Sequence, residues 1–235
     1  MSPRSLRTLL LPAMAAIVMM GLASNAWAQL KIEGTRLVYL GTNKEASLNV
    51  INRSDLDTVM QSWVSAPDEH DDAPFAIVQP LTLIPPNGQQ TLRILYAGKG
   101  LPQDRESLFW LNILEIPRKP AQTDTLQFAI RQRLKLFYRP AGLPGSSSEA
   151  ATGLQWRKRE PRSIEVSNPS AFHVSLIDLQ LDSLGQSYPL TDYLLLRPGE
   201  SLTLEAPSTL PAQSRVAFSE LTDIGLQKRH RVALP

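Results

Sequence analysis

The sequence predicts an all-β protein made of two β-sandwich domains joined by a short linker. Short runs of apolar residues recur along the chain and are separated by turn-forming Asn, Gly and Pro residues. No window has the sustained i, i+3, i+4, i+7 spacing of apolar residues that indicates an amphipathic helix. A stretch rich in Gly, Ser and Ala divides the runs into two sets, and the chain is long enough for two domains of about a hundred residues each.

Residues 1–28 are predicted to be a secretory signal peptide. Arg4 and Arg7 give the positive start, residues 9–22 are almost wholly apolar, and Ala26-Trp27-Ala28 supplies the small residues before a cleavage site. The apolar run is too short, and has the wrong flanks, for a membrane span. We therefore expect an exported protein that is not embedded in a membrane.

The charge and the cysteine content narrow the possible partners and the source of stability. Removing the signal peptide lowers the formal charge from +2 to zero, because Arg4 and Arg7 are its only charged residues. A neutral mature chain gives no reason to expect a nucleic-acid partner. The chain has no cysteine, so in an oxidising compartment its stability must come from burial and not from disulfides.

Residues 29–144 are predicted to form an immunoglobulin-like sandwich, because about seven strands in about a hundred residues are typical of that fold. The candidate strands are Thr35–Leu40, Ala46–Asn52, Val59–Ser65, Phe75–Gln79, Gln90–Tyr96, Ser107–Glu115 and Thr125–Pro140.

The last of these candidates, Thr125–Pro140, is about three times the length of a typical strand. Apolar and polar residues alternate along it, and Leu126, Phe128 and Ile130 form an apolar ridge on one side. A bare ridge of this kind promotes aggregation unless its own domain or a partner covers it. The pattern alone leaves both coverings open.

Ala141–Gly153 is small, rich in Gly and Ser and nearly uncharged, so we predict a flexible linker there. Residues 145–235 are predicted to form a second, smaller β-sandwich, and neither half repeats the other at the sequence level. Its candidate strands are Leu154–Lys158, Ser163–Val166, Phe172–Asp182, Tyr193–Leu196, Ser201–Glu205, Ser214–Phe218 and Lys228–Ala233.

The sequence offers little support for an enzyme, a cofactor or a metal site. The three histidines, His70, His173 and His230, are scattered, and no catalytic or phosphate-binding motif is present. The acidic cluster Asp68–Asp72 lacks the spaced ligands and turn glycine of a hard-cation loop, so we expect a solvated loop. The basic run Lys228–Arg231 is expected to be a solvated strand edge.

Two cations are unusual because they lie inside apolar runs. Arg36 is in the first run of the N-terminal domain, and Lys135 is in the last. Cations in strands usually extend to the solvent. The alternative hypothesis is that both meet at one anion-binding site where the domains join.

Several segments of the N-terminal domain match the motifs of a known family, and one segment of the C-terminal domain does so more weakly. They are Gly34–Tyr39, Pro85–Gly88 with Leu92-Arg93, Leu101–Phe109, Lys135–Pro140 and, in the C-terminal domain, Ile164–Pro169. On these segments the chain resembles the periplasmic pilus-assembly chaperones typified by PapD, whose sandwich fold and strand-addition binding are well known.

The resemblance implies two immunoglobulin-like domains joined at an angle and a function in pilus assembly. Such chaperones lend their last N-terminal strand to pilus subunits that lack one, and deliver the subunits to an outer-membrane usher. The expected partners are therefore pilus (fimbrial) subunits and an usher, and the expected compartment is the periplasm. The sequence leaves open whether the free protein covers its ridge by self-association. The short segment Arg118–Thr125 resembles the short-loop subfamily, which serves rod-like pili.

The resemblance also assigns roles to particular residues. Arg36 and Lys135 match the anchor for the subunit's C-terminal carboxylate. The apolar ridge matches the donor residues that enter the subunit's pockets. Glu106, Arg139 and Asp223 match a salt-bridge set between the domains.

Two rival functions are a pilin or adhesin and a carbohydrate-binding sandwich. A pilin is usually one domain, often with a cysteine pair, whereas this chain has two predicted domains and no cysteine. A carbohydrate-binding module needs exposed aromatic residues on one face, and we expect Trp63 and Trp110 to be core residues because they lie in apolar strands.

Overall fold

The structure, a computed structural model, describes most of the chain after the predicted signal peptide. The described residues are 29–68, 73–118, 126–207, 210–211 and 213–235. The signal peptide, most of the acidic loop (69–72) and most of the predicted short loop (119–125) lie outside them. The described residues form two β-sandwich domains with one short helix among them, which confirms the predicted fold class.

The N-terminal sandwich stacks a four-stranded sheet on a five-stranded sheet. Its strands are β1 (Leu30–Ile32), β2 (Arg36–Leu40), β3 (Ala46–Asn52), β4 (Thr58–Ser65), β5 (Phe75–Val78), β6 (Leu81–Ile84), β7 (Gln89–Tyr96), β8 (Ser107–Ile116) and β9 (Ile130–Arg139). The first sheet has the order β1-β3-β7-β5 and the second has the order β2-β9-β8-β4-β6. The β2–β9 pair is parallel, whereas the other recorded pairs of this domain are antiparallel.

The C-terminal sandwich stacks a three-stranded sheet on a four-stranded sheet. Its elements are helix α1 (Ser147–Thr152) and strands β10 (Gln155–Glu160), β11 (Ser163–Ser167), β12 (Val174–Ser183), β13 (Gln186–Leu196), β14 (Ser201–Glu205), β15 (Arg215–Leu221) and β16 (Gln227–Ala233). The sheets have the orders β10-β11-β14 and β13-β12-β15-β16.

Each domain buries its own apolar core between its two sheets. In the N-terminal core, Val50, Leu92, Leu111 and Leu136 come from four different strands and are fully buried. The C-terminal core is a separate cluster with the same layered arrangement. Burying one such side chain contributes about 1.5–3 kcal/mol, so each sandwich has its own source of stability.

Three strands differ from the sequence prediction for identifiable reasons. The sequence did not indicate β1 or β6, because runs of three and four residues carry too little periodicity. Strand β13 begins at Gln186 and not at Tyr193, although Pro189 lies inside it. Proline is tolerated there because β13 is an edge strand and Pro189 is paired at a bulge.

The predicted flexible linker is wrong in its second half, which forms helix α1. The hydroxyl of Ser146 caps the helix by accepting a hydrogen bond from the backbone N–H of Glu149. Ala150 and Ala151 are buried in the C-terminal core. Small residues therefore indicate close packing here and not flexibility.

The long strand is also shorter than predicted, since β9 begins at Ile130. Its last antiparallel pair joins Ile130 to Glu115, and β8 ends one residue later at Ile116. Residues 126–129 are therefore outside the sheet, because an alternating side-chain pattern does not form a strand without a neighbour for its backbone groups.

Each domain contains the same buried asparagine motif at one of its corners, a repeat that was not visible in the sequence. The fully buried amide of Asn52 donates to the carbonyls of Leu56, Ile84 and Pro85, and its oxygen accepts hydrogen bonds from Ser54. In the C-terminal domain, the amide of Asn168 makes the equivalent set of contacts, with Ser170 as the donor to its oxygen. Each sandwich thus closes one end with a buried Asn that joins three carbonyls.

We expect Asn52→Ala to lower the thermal midpoint of the N-terminal domain by at least about 8 °C. The change leaves buried carbonyls without a donor, which costs about 2 kcal/mol or more, and each kcal/mol shifts the midpoint of a small domain by about 4–8 °C. The measurement is calorimetric unfolding, with Asn43→Ala in an exposed turn as the control. Equal midpoints for the two variants would contradict the structural role of Asn52.

Candidate functional site

Strand β9 has one edge that is only partly paired. It pairs with β8 from Ile130 to Tyr138, but with β2 only from Lys135 to Arg139. Within the described residues, no strand pairs with the β2-side edge from Ile130 to Leu134. This edge presents backbone donors and acceptors that can pair with a strand from another chain.

The apolar ridge leads into this partly paired edge and is strongly exposed. Leu126, Phe128 and Ile130 are 79%, 72% and 42% exposed, respectively. Ile130 is on the same face of β9 as Leu134 and Leu136, which are buried in the N-terminal core. The ridge therefore precedes the part of β9 that packs in the core. In the described structure, the N-terminal domain does not cover the ridge residues.

The sheet register brings Arg36 and Lys135 side by side. They are paired residues of the parallel β2–β9 ladder, and their side chains share the face of the sheet that is turned away from the core. Nη1 of Arg36 donates to the carbonyl of Leu221 in the C-terminal domain at 2.9 Å, and Nε is buried with no hydrogen-bond partner in the described structure. The structure thus brings the two predicted cations together where the domains meet.

Burial lowers the pKa of Arg36, and nearby Tyr193 and Asp223 act in the opposite direction. A guanidinium keeps its proton at any physiological pH despite such a shift. Arg36 is therefore a partly desolvated, permanent cation with an unused donor, which suits a carboxylate ligand.

Lys135 contacts aromatic rings. Its Nζ lies 5.6 Å from the ring centre of Trp110 and 4.6 Å from that of Tyr193, and the guanidinium of Arg133 lies 4.7 Å from the Trp110 ring. The prediction that Trp63 and Trp110 are core residues is wrong. Both are half-buried and alternate with the core residues of their strands, so they lie on the outer face of the sheet.

The three predicted interdomain residues also meet. Nε of Arg139 is 2.6 Å from Glu106 Oε1, and its terminal nitrogens donate to both oxygens of Asp223 at 2.8 and 3.0 Å. Glu106 and Arg139 belong to the N-terminal domain, whereas Asp223 follows β15 in the C-terminal domain. The side chain of Glu106 is 1% exposed and that of Arg139 is 16% exposed, so this pair is shielded from water far more than an ordinary surface pair, whereas the side chain of Asp223 is 38% exposed.

Two further residues in this contact were missed by the sequence reasoning. The backbone N–H of His173 donates to Glu106 Oε2 at 2.8 Å, and its ring nitrogen Nδ1 is 3.3 Å from the same oxygen. The hydroxyl of Ser147, in the segment predicted to be a flexible linker, donates to Asp223 at 3.0 Å. No sequence signal identified either residue, because both contacts depend on how the two domains pack.

The interdomain charges alter one another's pKa values. Burial by itself would raise the pKa of Asp223, but the hydrogen bonds and charge of Arg139, with Ser147 and Arg36, outweigh it and lower that pKa. Burial would likewise lower the pKa of Arg139, but Asp223 and Glu106 raise it. Both groups are therefore charged at neutral pH and stabilise each other.

The described parts of the chain contain no metal site and no membrane-spanning helix, and the Lys and Arg residues of the basic run are exposed on an edge strand. There, no group of three or more His, Asp or Glu side chains has a geometry that could hold a metal ion. The described helix is also too short and too polar to cross a membrane. The basic run lies on the edge strand β16, where Lys228, Arg229 and Arg231 are exposed.

Comparison with protein families finds two adjacent domain matches. Residues 29–144 match the pili and flagellar-assembly chaperone family, PapD N-terminal domain. Residues 149–232 match the pili assembly chaperone PapD, C-terminal domain.

Several similar proteins are named chaperones, and the similarity extends over nearly the whole length of each chain. The chain is 36% identical over 215 residues to the chaperone protein LpfB of Salmonella typhimurium, covering 89% of this chain and 91% of that protein. It is 33% identical over 230 residues to the probable fimbrial chaperone YadV of Escherichia coli K12, covering 91% and 93%. The crystal structure of the YadV chaperone superposes with a TM-score of 0.78 and covers 88% of this chain and 100% of that one.

A structure of a complex is also similar. It contains the Salmonella enterica SafA pilin with the SafB chaperone, and it matches with a TM-score of 0.75 at 28% identity. The match covers 90% of this chain and 99% of the other.

The stabilisation from Asp223 should persist in mild acid and disappear only at low pH. Because the folded-state pKa of Asp223 lies below its ordinary value of 3.8, the contribution is complete above that value and is lost as the pH falls through the folded-state pKa. The difference in thermal midpoint between the unmodified protein and Asp223→Asn should stay constant from pH 7 to about pH 5 and shrink below about pH 4. Asp192→Asn, an exposed change, is the control. A difference that grows on acidification would contradict this assignment.

Proposed function

The chain belongs to the PapD family of pilus-assembly chaperones, and from this membership we propose that it captures pilus subunits by lending them strand β9. The resemblance found in the sequence is thereby confirmed at the level of the family. The family is a class of chaperones and not of enzymes. Membership of the short-loop subfamily stays a prediction, because residues 119–125 lie outside the described structure.

The observation that carries the proposal is the exposed apolar ridge beside an unpaired strand edge. A subunit that lacks a strand could pair with the backbone from Ile130 to Leu134 and take the ridge into its own core. Burying three such side chains contributes about 5–9 kcal/mol before the costs of ordering and association. The hydrogen bonds of the ladder would add affinity that does not depend on the subunit's sequence.

The cation pair supplies the second part of the proposal. We assign Arg36 and Lys135 as the anchor for the subunit's C-terminal carboxylate, because both cations lie on one face at the junction of the domains. Two cations at the end of an unpaired edge would fix the register of an incoming strand, since a slip of one residue would turn its apolar side chains away from the ridge. Binding needs no nucleotide in this scheme, because the subunit's unfilled groove provides the free energy.

The interdomain residues have a supporting role in the proposal. Glu106, Arg139 and Asp223 would hold the two sandwiches at an angle, so that Leu221 stays within reach of Arg36. A buried charge left without its partner is costly, which makes alternative orientations unfavourable.

The cellular setting follows from the family and the predicted signal peptide. We propose that the mature protein acts in the periplasm and delivers its subunits to an outer-membrane usher. The exposed leucines Leu81 and Leu83 on β6, which are 62% and 60% exposed, are the proposed usher contact. They lie at the edge of the five-stranded sheet opposite β2, so they would stay accessible while β9 is occupied. Self-association of the free chaperone through its ridge is part of the same proposal.

The ridge can be tested with Phe128→Asp. A charged group cannot enter an apolar pocket without losing its hydration, so subunit capture should be abolished. The midpoint should stay within about 3 °C of the unmodified value, because Phe128 is largely exposed in the free protein. The measurements are thermal unfolding and mass spectrometry of the proteins that co-purify with the tagged chain from the periplasm. The control is Leu184→Asp, since Leu184 is 85% exposed in the other domain. A midpoint lowered by more than about 10 °C would mean that Phe128 is a core residue.

The anchor can be tested with Arg36→Ala and Lys135→Ala. Each change should leave a folded protein and weaken subunit binding by about 2–5 kcal/mol, because one side of a desolvated charge pair is lost. The same co-purification assay measures the effect, and Lys44→Ala in an exposed turn controls for the loss of a positive charge. Retention of subunits at the unmodified yield by both variants would refute the shared carboxylate site.

The usher contact can be tested with the double variant Leu81→Ser and Leu83→Ser. Subunit capture should be retained, while pili on the cell surface should be reduced at least about tenfold, because the apolar contact area is lost. Electron microscopy counts the pili, and the co-purification assay serves as the internal control. Normal piliation would rule out this surface.

A further inference from the structure

The ammonium group of Lys135 lies between two aromatic rings that belong to different domains. Trp110 is its direct cross-strand neighbour on β8, and Tyr193 reaches it from β13 of the C-terminal domain. The distances from Nζ to the ring centres are 5.6 Å for Trp110 and 4.6 Å for Tyr193. Both are within the range of about 6 Å at which the negative face of an aromatic ring attracts a cation, and the Tyr193 contact is the closer.

Lys135 needs such a contact if it is to stay beside Arg36. The two cations are paired residues on one face of the ladder, and like charges in that position repel each other. The lysine side chain is flexible, and its ammonium group is strongly hydrated, so repulsion favours its movement into water. Arg36 is already held by the carbonyl of Leu221. Tyr193 provides the corresponding contact for Lys135, and both contacts come from the C-terminal domain.

We propose that Tyr193 is a positioning residue for carboxylate capture, because its ring holds the ammonium group of Lys135 beside Arg36 before the ligand arrives. This inference rests on the proposed function, in which these two cations bind the C-terminal carboxylate of a subunit. A preformed pair of cations loses less freedom on binding than a flexible one. The ring makes the recorded contact with Lys135, so phenylalanine should replace tyrosine in holding this ammonium group.

The first experiment tests the contact in the free protein, with no ligand. In a proton–carbon-13 correlation NMR spectrum, the ε-methylene protons of Lys135 should be shifted upfield by the ring currents of the neighbouring aromatic side chains. Tyr193→Leu should move them toward the position of a free lysine, and Tyr193→Phe should leave them in place. An unchanged Lys135 signal in Tyr193→Leu would overturn the inference, whatever the function of the protein.

The second experiment tests the effect on binding. The probe is a synthetic peptide of alternating apolar and polar residues, made with either a free C-terminal carboxylate or a C-terminal amide, and the readout is the ratio of the two dissociation constants. Tyr193→Leu should reduce the preference for the carboxylate by about three- to tenfold, and Tyr193→Phe should change it by less than about twofold. A general loss of structure would weaken both peptides alike, so the ratio separates positioning from folding.

The outcomes distinguish this inference from the function on which it rests. A carboxylate preference in the unmodified protein that survives in Tyr193→Leu overturns the role of Tyr193 and leaves the anchor intact. An unmodified protein with no preference overturns the anchor and this inference together. A preference that is present, falls in Tyr193→Leu and is kept in Tyr193→Phe supports both.

Discussion

A β-strand satisfies all of its backbone groups only where a neighbour runs along each edge, and β9 meets this condition for half of its length. From Lys135 to Tyr138 it lies between β8 and β2, whereas from Ile130 to Leu134 the described structure pairs only its β8 edge. The covered half builds the core of the N-terminal domain. The uncovered half has a backbone edge that no described strand pairs with, next to exposed apolar side chains, which is an unfavourable surface for a protein that acts alone and a suitable one for a strand-binding chaperone.

The alternation of side chains lets this one strand serve several purposes. Residues at even positions face the core, as Leu134 and Leu136 do, and the ridge residue Ile130 continues that face. Residues at odd positions lie on the opposite face, and from Lys135 onward they reach the junction of the domains, where Lys135 lies beside Arg36 and Arg139 contacts Asp223. A shift of one residue in the β8–β9 register would exchange the two sets, so the buried core also holds the cations in place.

The second domain completes this arrangement through polar contacts. The buried carboxylate of Glu106 needs partners on both of its oxygens, and it finds them in Arg139 of its own domain and His173 of the other. The carbonyl of Leu221 and the ring of Tyr193 then contact the two cations. Because the C-terminal domain contributes the contacts of both Arg36 and Lys135, the geometry of the proposed anchor depends on the relative orientation of the domains.

Local pattern determined the β-sandwich class and most of the strands, because a side-chain period of two and turn-forming residues act over a few positions. The family was indicated separately, by the resemblance of several short motifs to those of known chaperones. Local pattern could not separate Ile130 from Leu134, since both continue the same alternation. Tertiary packing separates them, because Leu134 lies in the N-terminal core and is 5% exposed, whereas Ile130 lies outside that core and is 42% exposed. For the same reason Trp63 and Trp110 resembled core residues in the sequence but lie on the outer face. The contacts of His173, Ser147 and Tyr193 were decided only by the tertiary structure, because residues far apart in the chain meet there when the two domains pack together.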